Sequence, residues 1–229
     1  MQKIDLITFD CYGTLIDWED GISSVIDQVA GEIGMRVPAR KLASRYVEIE
    51  FALQQSGDFK SYREILAMGL RLLFAERGAA LDKRRCLKLA ASLPRWKPFP
   101  ETKKVLLALK RAGCRLGVLS NTDDALLAKS LARIGVPFDI RVTSQQVRSY
   151  KPRMRHWERA LELAGVPKAR VLHVAASQIH DMIPAKALGL RCIWINRSKS
   201  RRAAILPDHT FTDLTPLPDL LKRLESRRA

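Results

Sequence analysis

Asp10 closes the apolar run Ile4-Asp5-Leu6-Ile7-Thr8-Phe9 and opens the stretch FDCYGTLIDWEDG. Three more polar sets follow short apolar runs in the same way. They are Ser120-Asn121 in RLGVLSN, Lys151 in SYKP, and Ser177, Gln178 and Asp181 in LHVAASQIHD. In open parallel sheets ligands bind beyond the carboxyl ends of the strands, so these four sets should converge on one crevice. Ser120 and Asn121 also stand just before a helix opened by Thr122 or Asp123, and a helix N-terminus favours an anion. The formal charge of +16 points the same way, because a basic surface steers small anions toward a site.

The elements that hold these residues follow from the hydrophobic rhythm. Ile4–Phe9, Arg115–Leu119, Asp139–Thr143, Val171–Ala175 and Arg191–Ile195 are short and mostly apolar, as expected of strands covered on both faces. Helices alternate with them. One is opened by Pro100-Glu101 and closed by Gly113, one stops near Gly135, and one runs from Pro152 to Gly165. The expected fold class is therefore α/β, a Rossmann-like parallel sheet. Residues 19 to about 92 break the rhythm and read as four helices, roughly 19–33, 39–55, 60–77 and 82–92. This helical block is expected to form a cap over residues 17–96, inserted into a core of residues 1–16 and 97–229, with Pro94, Pro98 and Pro100 marking the return crossing.

A chain of 229 residues with 47% hydrophobic content can bury a core domain and carry a smaller one. Cys11, Cys86, Cys114 and Cys192 form no CxxC pair, which argues against structural zinc or a disulfide framework and fits a cytoplasmic protein. No signal peptide and no run long enough to span a bilayer is visible. The basic residues cluster only as Lys83-Arg84-Arg85, Arg201-Arg202 and Arg227-Arg228, without interleaved aromatics. Nucleic acid is therefore not expected as a partner.

Order and spacing of FDCYGTL, VLSN, YKP, the acid at Asp181 and the late strand CIWINR resemble the haloacid dehalogenase superfamily, and within it the L-2-haloacid dehalogenases (type II). The resemblance covers nearly the whole chain. It implies a Rossmann-like core, a helical cap and an active site between them. It also implies that Asp10 is a nucleophile, forming an ester that water cleaves. Thr14 would position that carboxylate, and Lys151 would keep it ionised. Asp181 would hold Lys151 or help activate water. Ser120, with the Asp10-loop backbone at Cys11 and Tyr12, would bind a substrate carboxylate. Asn121 and the cap residue Arg45 would take the leaving halide, with Ser177 and Gln178 nearby. No metal or other cofactor is implied, the substrate would be a small anion, and dimers are common in the family.

Tyr12 bears on the reaction. Phosphatases of this superfamily carry a second Asp two residues after the nucleophile, which protonates a poor leaving group, and they use magnesium. Halide leaves without a proton, so Tyr12 suits displacement of halide from a short (S)-2-haloacid or haloacetate. A magnesium-dependent phosphatase, or a member that has lost turnover, are the alternatives. Three positions depart from the family pattern: Gln178 stands for asparagine, Ala176 for serine and Trp157 for tyrosine. Trp157, Ala160, Leu161 and Ala164 form an apolar stripe, so Trp157 is expected in the core rather than at the ligand.

Overall fold

The computed structural model describes residues 3–201 and 203–226; Arg202, Arg227 and Arg228 of the basic clusters lie outside them. Six strands form one sheet: β1 (Leu6–Phe9), β2 (Arg115–Ser120), β3 (Ile140–Thr143), β4 (Val171–Ala175), β5 (Arg191–Ile195) and β6 (His209–Phe211). Their order is β3-β2-β1-β4-β5-β6, and every pair is parallel. All residues of β1 and β4 are buried, as apolar strands with helices on both faces require. Phe9 pairs with Val118 on one side and Val174 on the other, so the ends of β2 and β4 flank Asp10. The strand order reverses around β1, which is where a crevice opens in such sheets. β6 was not expected from the sequence. It is only three residues long with two of them exposed, and it forms by pairing along the edge of β5.

Between β1 and β2 lie α1 (Trp18–Glu32), α2 (Ala39–Gln55), α3 (Tyr62–Ala75), α4 (Lys83–Cys86), α5 (Lys88–Ser92) and α6 (Thr102–Arg111). α6 packs on the sheet, whereas α1 to α5 form a helical layer. The fourth helix expected in that layer is divided at Leu87 into α4 and α5. α2 packs between α1 and α3. Tyr46 of α2 lies so close to Gly69 of α3 that an added Cβ would stand 2.9 Å from its ring, so a glycine is needed at this helix crossing. α7 (Asp124–Ile134), α8 (Ser144–Val147), α9 (Arg155–Ala164), α10 (Ile183–Ala187) and α11 (Leu217–Ser226) complete the chain. α7 stops at Gly135, where φ is 69°, a left-handed turn that favours glycine.

The two crossings between sheet and helical layer run side by side. Ile16 bridges Pro98 in antiparallel fashion, Asp17 N–H donates to Lys97 O at 2.9 Å and Phe99 N–H to Leu15 O at 3.0 Å. Arg197, just past β5, fastens this hinge to the Asp10 loop. Its guanidinium donates to Gly13 O (3.2 Å), Thr14 O (2.8 Å) and Glu101 (2.7 Å), and lies 3.5 Å over the Phe99 ring. One buried apolar cluster continues from β1 through Leu15 and Ile16 into α1, α2 and α3.

A second link joins the layers. Asp123 stands at the N-cap position of α7, but its carboxylate makes no cap bond there. It turns instead to the start of α3 and accepts the N–H groups of Tyr62 (2.8 Å) and Arg63 (2.9 Å). A carboxylate at a helix N-terminus satisfies orphan donors and meets the positive end of the dipole. Asp123→Ala is expected to cost about 1–2 kcal/mol of stability by loss of this cap, measurable by urea unfolding. A change below about 0.3 kcal/mol would mean that water replaces the carboxylate without loss. Among the described residues no helix is long and apolar enough to cross a membrane.

Candidate active site

Lys151 is the centre of the site. It is 1% exposed, and its Nζ lies 2.8 Å from Asp10 Oδ1 and 2.7 Å from Asp181 Oδ1. Thr14 Oγ1 donates to Asp10 Oδ2 at 3.0 Å and accepts the Ala176 N–H at 2.9 Å. Both oxygens of Asp10 are therefore held, one from the segment after α8 and one from its own loop, and the carboxylate plane is fixed. Burial raises the Asp10 carboxyl above its ordinary range, while the Lys151 ammonium opposes that shift. Burial also works against an ionised Asp181, but Lys151 and His173 outweigh it and hold this carboxyl well below the usual range. Lys151 itself is penalised by burial, yet the two carboxylates raise it. Asp181 Oδ2 is buried with no hydrogen-bond partner.

His173, inside β4, was missed by sequence reasoning. It is fully buried, with Nε2 3.1 Å from Asp181 Oδ1 and Nδ1 2.9 Å from Thr8 Oγ1. A hydrogen on Nε2 lets the ring donate to Asp181 while accepting from Thr8. The signal was a histidine within an otherwise apolar strand, VLHVA. Trp157 is in the core, as its stripe implied. Its ring lies 5.5 Å from that of His173 and 5.8 Å from Lys151 Nζ, so it floors the ammonium from below.

A cavity of about 320 Å³ opens above Asp10, Ser120, Asn121, Lys151, Ser177 and Asp181. Ser120 Oγ is buried with no partner and available to a ligand. Asn121 is more committed than expected. Its Oδ1 accepts the Lys151 N–H (2.7 Å), and its amide divides between Gln54 Oε1 (3.1 Å) and Lys151 O (3.3 Å). Ser177 caps the following turn, accepting the His180 N–H at 3.1 Å. Tyr12 lines the cavity with its hydroxyl 2.8 Å from Ser130 Oγ and its ring edge-on to Trp96 at 5.7 Å. Burial pushes its phenol well above the ordinary value.

Two expected ligand contacts are corrected. Arg45 lies on the outer face of α2, half-exposed and paired with Glu48 (2.7 Å) and Glu76 (2.6 Å). Tyr46 and Ile49 take the face turned into the helical layer, and the cavity is met instead by Val47, Glu50, Phe51 and Gln54. Arg45→Gln should therefore leave kcat/KM for halide release within about twofold of the parent; a tenfold loss would return Arg45 to the site. Gln178 also turns away, with Oε1 accepting the Ala204 and Ile205 N–H groups. The Cys11 side chain is fully buried and its carbonyl accepts the Leu15 and Ile16 N–H groups, so any part it has at the ligand is through its backbone N–H.

Glu50 is the second residue sequence reasoning missed. Burial pushes its carboxyl up to about 7, against hydrogen bonds from Tyr62 and Gln54, the latter at 2.8 Å. Folded Glu50 thus holds its proton where an unfolded glutamate, with a pKa near ~4.3, has lost it. Its contribution to stability is complete below the unfolded value and falls as pH rises toward 7. Glu50→Gln removes this loss, so its stability relative to the parent should rise by on the order of 1–3 kcal/mol between pH 5 and pH 8. Parallel melting curves at the two pH values test this, and a constant difference would refute it.

A family model described as haloacid dehalogenase-like hydrolase matches residues 4–189. The chain belongs to this family. Haloacetate dehalogenase H-2 of Moraxella sp. (strain B) is 29% identical over 201 residues, 86% of this chain and 88% of that protein. The (S)-2-haloacid dehalogenase of Pseudomonas sp. (strain YL) is 28% identical over 234 residues, covering 97% and 96%. Among solved structures, an L-2-haloacid dehalogenase from Xanthobacter autotrophicus with chloropropionic acid covalently bound has a TM-score of 0.82 at 22% identity, over 96% of this chain and 98% of that one. That likeness confirms for this haloacid dehalogenase-like hydrolase the α/β core with its helical layer.

Proposed function

We propose that this hydrolase is a dehalogenase that converts a 2-haloacid or haloacetate to the 2-hydroxy acid and halide through an ester on Asp10. The observation that carries the reading is the Asp10–Lys151–Asp181 arrangement at 2.8 and 2.7 Å, with Tyr12 where a phosphatase would need an acid. The haloacid and haloacetate dehalogenases similar to it over nearly the full chain support the same reaction.

An Asp10 oxygen attacks the halogen-bearing carbon in line. The carbon–halogen bond breaks, and halide departs with the bonding pair, so no proton donor is required at Tyr12. Configuration at the carbon inverts. Water then attacks the Asp10 carboxyl carbon, the acyl–oxygen bond breaks, one water proton passes by way of Asp181 Oδ2 to the departing alkoxide and the other is released to solvent, freeing the 2-hydroxy acid and the Asp10 carboxylate. Ser120 Oγ and the loop backbone are the groups available to the substrate carboxylate. Lys151 keeps Asp10 ionised before attack and neutralises charge on its oxygens during hydrolysis. The four cysteines are buried free thiols, which suits work in the reducing cytoplasm.

The test is halide release from chloro-, bromo- and fluoroacetate and from both enantiomers of 2-chloropropionate. Turnover of the (S)-enantiomer with inversion supports the proposal. Magnesium-dependent phosphate release from small phosphate esters, without halide release, would replace it with phosphatase activity.

A further inference from the structure

The cavity has an electrostatic character that a simple haloacid does not explain. Asp10, Glu50 and Asp181 line it, opposed by the Lys151 ammonium, which is already bonded to two of those carboxylates. Among the described residues no arginine lines the cavity, and Arg45 is on the outside. A monoanion longer than its own carboxylate end therefore finds no second positive charge to meet.

Glu50 is held in place for recognition. Gln54 Nε2 donates to its Oε1 at 2.8 Å, and the Tyr62 hydroxyl also bonds to it. Two donors leave unused acceptor capacity on a carboxylate. Phe51, Tyr62 and Trp96 line the same cavity, and aromatic ring faces attract a cation. An ionised carboxylate in a desolvated pocket is costly alone and is stabilised by a ligand of opposite charge. Its pKa of about 7 makes the ionised form accessible near neutrality. The 320 Å³ volume reaches the range of about 300–1,000 Å³ that encloses drug-sized ligands, more than a two-carbon acid fills.

We propose that Glu50 and its aromatic walls recognise a protonated amine on the substrate, so that the site is built for a 2-haloacid whose side chain ends in an ammonium group. This rests on the dehalogenase reading and deepens it. The carboxylate and halogen sit at the Asp10 end, and the ammonium reaches Glu50.

Binding of halogen-free acids tests recognition apart from chemistry. Calorimetry would compare 4-aminobutanoate, 5-aminopentanoate and 6-aminohexanoate with butanoate, pentanoate and hexanoate. The best amino acid of the series should bind the parent protein at least tenfold more tightly than its alkyl counterpart, and Glu50→Gln should bring that ratio close to one. Likewise, kcat/KM for chloride release should be at least tenfold higher for 6-amino-2-chlorohexanoate than for 2-chlorohexanoate. If each alkyl acid binds the parent as tightly as its amino partner, the inference is overturned, whether or not Glu50→Gln folds. Chloroacetate turnover without an amine preference would sink this inference and spare the dehalogenase reading. An amine preference in binding, with no halide released from any compound, would do the reverse.

Discussion

Replacing Asp10 by asparagine lowers the steady rate of halide release by about 10⁴-fold or more, the scale on which loss of a covalent nucleophile is felt. The amide cannot supply the ionised oxygen that attacks carbon. It keeps the size of the side chain, though, and its one oxygen can still accept from Lys151 while its N–H turns to Thr14 Oγ1, the two groups that hold Asp10 at 2.8 and 3.0 Å. Cooperative unfolding should therefore persist, which separates lost chemistry from lost structure. The parent enzyme offers the complementary measurement. After a single turnover in heavy-oxygen water, the isotope should be found in the peptide containing Asp10 rather than directly in the first molecule of product. Product carrying the isotope at once, with an unlabelled Asp10, would show that water attacks the substrate itself and that no ester forms.

Lys151→Met has two large effects with one origin. Removing the ammonium leaves Asp10 and Asp181 buried without their shared counter-charge, a situation that costs about 3–5 kcal/mol. For a chain of this size that lowers the melting temperature by on the order of 10 °C. The activity effect has a definite sign. Burial already raises Asp10, and Lys151 is what opposes that; without it Asp10 holds its proton to higher pH. The rate at pH 7 should fall by about 10³-fold or more, and the acid limb of the kcat profile should move to higher pH. A variant with reduced activity but an unmoved acid limb would show that Lys151 binds substrate instead of setting the ionisation of Asp10.

Legibility in the sequence followed physical scale. Strands buried on both faces announce themselves as apolar runs, and five of the six were visible within a residue or two. β6 was not, because its pairing on β5 owes nothing to its own hydrophobicity. Residues at strand ends were equally legible. The topology puts Asp10 and Ser120 at neighbouring strand ends, and the segments that follow β3 and β4 carry Lys151 and Asp181 to them. The helical layer was harder, since a shift of a few residues around α2 decides which side chain meets the cavity. The resemblance suggested Arg45, whereas packing of Tyr46 and Ile49 turns it outward and presents Val47, Glu50 and Phe51. Charge gave no help: Glu50 lies in VEIEF beside an exposed Glu48, and only three-dimensional burial distinguishes them. Gln178 and Asp123 show a related limit. Each is polar at a suitable position, but its partner is backbone from a distant segment that spacing cannot reveal.

The Arg197 clamp has a mechanical corollary. It ties the nucleophile loop to the paired crossings at Ile16 and Pro98, so any rotation of the helical layer about those crossings would have the reacting oxygen beside its axis. Displacement about a pivot grows with radius. A small rotation would barely disturb Asp10 but would carry α2 and Glu50 through a longer arc, like the tip of a calliper. Such a rotation would let the molecule gauge the length of what it holds while keeping its cutting edge still.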